Sequence, residues 1–209
     1  MTAAGKIRVL SIDDHPLLRE GIAAVINSQS DMAIVAQGSS GREAIQCFRE
    51  HQPDVTLMDL RLPDLSGIDA LSAIVAEFPA ARVVMLTTFE GDVEIQRAFA
   101  AGARGYLLKN SPPSELVDAV RQVHAGRKRI PHDIAAQLAE HIADEFLTER
   151  EVDVLRRVAG GNRNKDIAQL LSISEETVKV HVKHIMEKLG ASDRTAAVAI
   201  GVRRGIIQL

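Results

Sequence analysis

The first 125 residues alternate between short apolar runs and segments with helical spacing. Each run has the length of a strand and is rich in Val, Ile and Leu, and in each following segment apolar residues recur three or four positions apart. The predicted strands are 7–12, 32–36, 54–60, 82–87 and 105–108, and the predicted helices are 17–26, 42–50, 68–78, 93–101 and 114–124. Strands that alternate with helices predict a parallel sheet covered on both faces. We therefore expect an α/β fold with a doubly wound, five-stranded parallel sheet.

The rest of the chain has helical spacing only. Residues 134–142 have the spacing of a short linker helix, and four helical segments follow from residue 147 onward. The residues predicted to cap these four helices are Thr148 with Glu151 as a capping box, Asn164, Ser174, and Ser192 or Asp193. The chain is therefore predicted to consist of a first domain at 1–126, a linker at 127–146 and an all-α second domain at 147–209.

Charge is distributed unevenly between these parts. Residues 147–209 carry 11 Lys and Arg against 8 Asp and Glu, whereas the remaining residues carry 14 against 20. This difference suggests different partners for the two domains, although a basic excess is by itself weak evidence for nucleic-acid binding. The sequence has no apolar run near the roughly 18 residues of a membrane span and no secretory signal pattern. The single Cys47 is typical of a reducing compartment, so we expect a cytoplasmic protein without a membrane partner.

Polar side chains stand where the predicted strands end. Asp13 and Asp14 follow the first strand, and Asp59, Thr87 and Lys109 lie at the ends of the third, fourth and fifth. Because the carboxyl ends of parallel strands meet at one edge, these groups are expected to converge. Clustered carboxylates repel one another unless a cation or proton separates them, and such oxygen ligands suit Mg²⁺. Any one of these residues, taken alone, commonly has only a structural role. Together they supply the carboxylate nucleophile, metal ligands, hydroxyl and ammonium that phosphoryl transfer to an aspartate needs.

Residues 6–125 resemble the receiver domains of two-component systems. The matching stretches are SIDDHP at 11–16, LMDLRLP at 57–63 with Gly67, LTT at 86–88 and GYLLK at 105–109. The resemblance implies that Asp59 accepts a phosphoryl group from a sensor histidine kinase. It implies that Asp14, Asp59 and the backbone carbonyl of Arg61 bind Mg²⁺, with Asp13 acting mainly through water.

The same resemblance implies a switch at the strand ends. Thr87 would be the switch hydroxyl, Lys109 the partner of the phosphoryl group and Tyr106 the aromatic side chain that moves with Thr87. Plain core packing is the alternative role for Tyr106. Many receivers carry a cis Pro directly after this Lys, whereas here two residues separate Lys109 from Pro112, so a cis bond is not assumed.

The third helix of the second domain has two contrasting faces. The inward face is predicted to hold Val178, Val182, Ile185, Met186 and Leu189, and the opposite face Glu176, Lys179, Val180, Lys183 and Glu187. Two Lys four positions apart repel each other on a solvated helix, and a Val beside them has no reason to face water. A position in the DNA major groove would explain both features, although surface Lys and apolar stripes are also ordinary.

Residues 147–209 resemble the LuxR-type helix-turn-helix domain of NarL/FixJ response regulators. The matching stretches are LTERE at 147–151, NKDIA at 164–168, residues 174–183 and LGA at 189–191. The resemblance implies binding of double-stranded DNA by Lys179, Val180, Lys183 and His184. Phosphate contacts are further expected at the amino ends of the first two helices, from Thr148, Asn164 and Lys165. The resemblance also implies that the protein forms a homodimer through its last helix. The candidate contact residues there are Ala196, Val198, Ala199 and Val202.

The chain is thus interpreted as a response regulator, not an enzyme, that dimerises on phosphorylation and binds DNA. Two alternatives compete with this interpretation. A metal-dependent phosphohydrolase would also form an aspartyl phosphate, but such enzymes carry a second acid two residues after the nucleophile, where this chain has Arg61. A degenerate receiver that serves only as a dimer module is disfavoured by the intact acidic set, Thr87 and Lys109.

Overall fold

The computed structural model describes residues 5–88, 92–130 and 147–207. They include two compact units, one built from residues 5–88 and 95–130 and the other from residues 92–94 and 147–207. The predicted linker helix at 134–142 lies outside the described residues. Within the described ranges, no helix combines the length and apolar character needed to cross a membrane.

The predicted five-stranded sheet of the first unit is confirmed. Its strands are β1 (Ile7–Ile12), β2 (Met32–Gly38), β3 (Val55–Asp59), β4 (Val83–Thr87) and β5 (Gly105–Leu108). They form a single parallel sheet with the order β2-β1-β3-β4-β5. This order reverses direction between β1 and β3, which is where ligands bind in doubly wound sheets.

Five helices accompany these strands, with bounds within one residue of the predicted ones. They are α1 (Pro16–Asn27), α2 (Gly41–His51), α3 (Gly67–Glu77), α4 (Asp92–Ala100) and α5 (Pro113–His124). Helix α1 packs beside α5, and α2 packs beside α3. Ser40 and Ser66 cap α2 and α3 by accepting hydrogen bonds from backbone N–H groups in the first helical turn.

An apolar layer between the sheet and helices α1 and α5 holds the strand ends in register. Each fully buried aliphatic side chain stabilises the fold by about 1.5–3 kcal/mol relative to exposure. Contacts among these buried side chains connect the strands to both helices and limit how far the residues at the carboxyl edge of the sheet can move apart. Its members include Val9, Leu57, Val84 and Leu107 from the strands and Ile22, Ile26, Leu116, Val117 and Val120 from the helices.

The second unit contains four helices joined by short turns. Their apolar faces meet in a core that includes Leu155, Ile167, Val178 and Ile185, as the helical spacing predicts. The helices are α6 (Glu149–Ala159), α7 (Asn164–Leu171), α8 (Glu175–Leu189) and α9 (Arg194–Arg203).

The predicted helix caps of this unit are confirmed at three of the four helices: the capping box at α6, Ser174 at α8 and Asp193 at α9. The predicted cap at Asn164 is wrong, because Asn164 is the first helical residue of α7 and Arg163 occupies the cap position. The Asp166 carboxylate accepts a hydrogen bond from the Arg163 backbone N–H at 3.1 Å. The Asp166 carboxylate therefore satisfies the free backbone N–H at the start of α7, and no capping side chain is needed at position 163.

Glu151 does more than complete the α6 capping box. Its carboxylate accepts hydrogen bonds from the Thr148 backbone N–H at 2.7 Å and from Lys188 Nζ, on α8, at 2.9 Å. Burial by itself would raise the pKa of Glu151, but these bonds outweigh it and hold the pKa below its ordinary value. The carboxylate is thus an ionised buried link between α6 and α8.

Candidate functional site

Acidic side chains converge at the carboxyl edge of the sheet. Asp13 and Asp14 follow β1 directly, and Asp59 is the last residue of the neighbouring strand β3. One ligand atom each from Asp13, Asp14, His15 and Asp59 lie within 4.8 Å of one another. Asp13 and Asp59 are 0% and 2% exposed, whereas Asp14 faces solvent. The predicted convergence of the three carboxylates therefore exists in the fold.

Lys109 brings a positive charge to the two buried carboxylates. Its Nζ atom lies 2.8 Å from Asp13 Oδ2 and 2.7 Å from Asp59 Oδ2. The residue follows β5, and its backbone N–H donates to the Thr87 carbonyl oxygen at 2.6 Å, which fixes the start of the side chain at this edge. The ammonium group thus reaches from β5 across β4 to the acidic cluster.

Burial and pairing act in opposite directions on these groups. Burial raises the pKa of Asp59, because a low-dielectric site disfavours the charged carboxylate, and the hydrogen bonds from Lys109 and the Arg61 backbone offset only part of that effect. Burial would lower the pKa of Lys109, but hydrogen bonds to Asp13 and Asp59 outweigh it and the pKa is raised. Lys109 is therefore a fixed ammonium beside Asp59.

Three further residues were predicted for this site, namely Thr87, Tyr106 and Arg61. Thr87 is the buried last residue of β4, the strand next to β3. Tyr106 lies in β5, pairs in register with Met85 and is fully buried, so both core packing and a switch role remain compatible with its position. The Arg61 backbone N–H donates to Asp59 Oδ1 at 3.1 Å, which places the Arg61 backbone at the site. The metal-binding role of its carbonyl stays a prediction.

Helix α8 presents a mixed basic and apolar face to solvent. Val178, Ile185 and Leu189 are buried on its inner side. On the outer side Val180 is 46% exposed, and the side chains beside it are also exposed, namely Lys179, Lys183 and His184. The predicted two-faced character of this helix is present in the fold.

Each of the two Lys on this face forms an ion pair with a neighbouring Glu. Lys179 Nζ lies 3.1 Å from a Glu176 carboxylate oxygen, and Lys183 Nζ lies 3.6 Å from one of Glu187. Contrary to the prediction, repulsion between the two Lys is offset within the helix, since each ammonium has an acidic neighbour one turn away. Exposed pairs of this kind contribute little to stability, so they can exchange for phosphate contacts at little cost.

The other residues predicted to contact DNA differ in solvent exposure and in the hydrogen bonds that they already make. Lys165 is exposed, whereas Asn164 is half-buried. The Thr148 hydroxyl already bonds Glu151 within the α6 capping box, so a phosphate contact from it would compete with the cap.

The predicted dimer residues of α9 also differ in availability. Ala199 is exposed, while Val198 and Val202 pack partly against the core of their own unit, and Ala196 is half-buried. The part of this helix that is free for a partner is therefore smaller than the sequence pattern suggested.

Comparisons with known proteins agree with this geometry. A family model of the response regulator receiver domain matches residues 9–121, and a model of bacterial regulatory proteins of the luxR family matches residues 145–200. The chain belongs to the two-component response regulators with a LuxR-type DNA-binding domain.

Individual relatives of this response regulator align along nearly its whole length. It is 42% identical over 215 aligned positions to the uncharacterized transcriptional regulatory protein YxjL of Bacillus subtilis, with 97% of this chain and 98% of the relative covered. It is 38% identical over 207 positions to the response regulator protein VraR of Staphylococcus aureus strain Mu3, with 97% and 99% covered. The crystal structure of the response regulator ChrA, from a heme-sensing two-component system, matches with a TM-score of 0.58 and 36% identity, covering 97% and 100%.

Two features of the response regulator's sites were missed in the sequence. His15 lies inside the acidic cluster, although its place directly after two Asp could have drawn attention to it. Lys188 pairs with Glu151 across 37 positions of sequence, and no local pattern indicates such a partner.

Gly67 allows α3 to begin close to Asp59. A Cβ atom at this position would clash with the Asp59 carbonyl oxygen and lie 3.0 Å from Met85 Cε. The Gly67 backbone N–H also donates to the Leu60 carbonyl oxygen at 2.9 Å, so the helix start cannot simply move away. The shape of the loop after β3 therefore depends on a residue without a side chain.

We predict that Gly67→Ala lowers the free energy of unfolding of the receiver by about 1–3 kcal/mol, because it overpacks this contact. Urea unfolding followed by the fluorescence of Tyr106 measures this directly, since the chain has one Tyr and no Trp and the signal reports the receiver alone. The matched control is Gly21→Ala in α1, where a Cβ meets nothing within 4 Å and a gain of about 0.5–1 kcal/mol is expected. An unchanged stability for Gly67→Ala would contradict this role.

Proposed function

We propose that Asp59 accepts a phosphoryl group from a sensor histidine kinase and that this modification controls DNA binding. The observation that carries the proposal is the contact of the Lys109 ammonium with both Asp59 and Asp13. A fixed cation beside a buried carboxylate at a strand end is suited to stabilising a phosphoryl group transferred to that carboxylate. The relatives named as response regulators support the same conclusion.

The proposed reaction is a transfer between two side chains. An Asp59 carboxylate oxygen attacks the phosphorus of the kinase phosphohistidine, an O–P bond forms, and the N–P bond to the imidazole breaks. Lys109 balances the negative charge of the phosphoryl oxygens, and Thr87 supplies a hydroxyl next to them. The product is an acyl phosphate on Asp59.

The acidic cluster fits the magnesium ion that receiver domains use. Its donors are carboxylate oxygens, which Mg²⁺ prefers, and three carboxylates with one ammonium leave a formal charge of −2. Asp14, Asp59 and the Arg61 carbonyl would hold the ion directly, and Asp13 through water. When bound, Mg²⁺ supplies positive charge to the phosphoryl oxygens.

The signal is proposed to pass from a receiver at 1–126, through a linker at 127–146, to a DNA-binding domain at 147–209. In the unphosphorylated chain the receiver restrains the second domain. Phosphorylation draws Thr87 and Lys109 towards the phosphoryl group, Tyr106 moves with Thr87, and the changed surface favours release and a homodimer. Contacts through α9, from Ala199 with Ala196, Val198 and Val202, would join two DNA-binding domains.

Helix α8 is proposed to enter the major groove of double-stranded DNA. Lys179, Lys183 and His184 would reach base edges or phosphates, and Val180 would contact a thymine methyl group. Lys165 and Asn164 at the start of α7, and Thr148 at the start of α6, would contact the DNA backbone. Two such helices in a dimer would read half-sites about one DNA turn apart.

We further propose a cytoplasmic regulator without enzymatic turnover of external substrates. Arg61 occupies the position where a phosphohydrolase with an aspartyl-phosphate intermediate carries its second acid. Without that acid a leaving group would lack its proton donor, which favours a phosphoacceptor over a hydrolase.

We expect the intact protein to gain the mass of one phosphoryl group when it is incubated with acetyl phosphate and Mg²⁺. The gain requires the Asp59 carboxylate as nucleophile, so it should vanish in Asp59→Asn and on chelation of Mg²⁺. Asp118→Asn, which changes an exposed acid on α5, is the matched control and should be phosphorylated normally. Intact-protein mass spectrometry gives the answer, and absence of an adduct on folded wild-type protein would favour the degenerate receiver.

Replacing Lys183 with Ala should weaken binding to a short labelled duplex and reduce the salt dependence. Loss of one phosphate contact lowers the slope of log K against log salt by about 1, whereas a base contact would cost about 1–3 kcal/mol on a specific site. Fluorescence anisotropy at several salt concentrations measures both quantities. Lys128→Ala, an exposed Lys of the predicted linker, is the control. Equal affinity and slope for Lys183→Ala and wild type would remove Lys183 from the interface.

A further inference from the structure

An imidazole lies at the edge of the acidic cluster. His15 Nδ1 is 2.6 Å from Asp14 Oδ1 and 3.3 Å from Asp13 Oδ1. It is one of the four ligand atoms that all lie within 4.8 Å of one another. The cluster proposed to hold Mg²⁺ therefore contains a nitrogen donor as well as carboxylate oxygens.

Local structure fixes the backbone of His15 but does not explain its side chain. The residue stands at the cap position of α1, and its backbone N–H donates to Asp13 Oδ1 at 2.9 Å. The imidazole makes no capping hydrogen bond to α1, and the side chain is 71% exposed. Neither helix capping nor core packing accounts for an imidazole here, whereas its two carboxylate neighbours are candidate metal ligands.

The distances suit two donors on one ion. Ligands at 2.0–2.1 Å in adjacent octahedral positions lie about 2.9 Å apart. The separations of 2.6 Å and 3.3 Å between His15 Nδ1 and the two carboxylate oxygens bracket that value. Because the ring is exposed, a small rotation would place its nitrogen on an ion held by Asp14.

We infer that His15 is an additional metal ligand that widens the range of ions this site accepts. Imidazole is a good ligand for borderline ions such as Ni²⁺ and Zn²⁺ and a poor one for Mg²⁺, which prefers oxygen. The carboxylates hold either kind of ion, and His15 strengthens the binding of the borderline ions alone. This inference rests on the metal site of the proposed function.

Calorimetric titration of the full chain with Mg²⁺ and, separately, with Ni²⁺ at about pH 8 tests the inference. We expect His15→Gln to lower the Ni²⁺ affinity at least about tenfold, the scale of losses at altered metal sites, and to leave the Mg²⁺ affinity nearly unchanged. His124→Gln, at the exposed end of α5, should change neither affinity. Asp59→Asn should weaken both, because it removes a shared carboxylate.

Pulsed electron paramagnetic resonance of the chain loaded with one equivalent of Cu²⁺, which is paramagnetic and favours imidazole as Ni²⁺ does, adds a direct view of the ligands. Coupling to an imidazole nitrogen should appear in the wild type and vanish in His15→Gln. Equal losses of Mg²⁺ and Ni²⁺ affinity in His15→Gln without nitrogen coupling would overturn the inference, because His15 would then only orient Asp14. Unchanged affinities for both ions would overturn it as well. Failure of Mg²⁺ to bind the wild type, with Ni²⁺ still held through His15, would contradict the proposed magnesium site and support this inference.

Discussion

The ammonium group of Lys109, held between two buried carboxylates, is the contact on which the receiver site depends. Asp13 and Asp59 are buried where an uncompensated charge is costly, and removing one partner of such a buried pair costs about 3–5 kcal/mol. The contact requires β1, β3 and β5 to end at the same edge, which a parallel sheet provides. The hydrogen bond from the Lys109 backbone N–H to the Thr87 carbonyl oxygen then fixes the position of the Lys109 backbone relative to the end of β4.

Buried and exposed ion pairs have different roles in the two units. Glu151 and Lys188 join α6 to α8 through a largely buried pair, in which the Glu151 side chain is 4% exposed and the Lys188 side chain 20%. The pairs of Lys179 and Lys183 with neighbouring Glu on α8 are exposed and weak. The same types of side chain therefore stabilise structure in one place and remain available for phosphates in the other.

The sheet and the convergence of its polar residues were predictable because they follow from local periodicity and one rule about parallel strands. That Asp13, Asp59 and Lys109 lie at one edge of the sheet could be predicted without knowing how their side chains are oriented. The cap of α7 at Arg163, the contact of His15 with Asp14 and the pairing of Lys183 with Glu187 depend on side-chain conformation, and sequence spacing does not determine it. The bond of Lys188 to Glu151 depends on tertiary packing.

Control of DNA binding by the phosphoryl group on Asp59 is tested most directly by one affinity comparison. The full chain, before and after phosphorylation, is titrated with a duplex that it has selected from a random-sequence pool. If phosphorylation and DNA binding are coupled by a free energy of typical size, the phosphorylated chain binds the duplex about 5- to 150-fold more tightly than the unmodified chain. The Asp59→Asn variant is expected to keep the affinity of the unmodified chain. Equal affinities for the unmodified chain and for a chain shown by its mass to be phosphorylated would contradict this coupling.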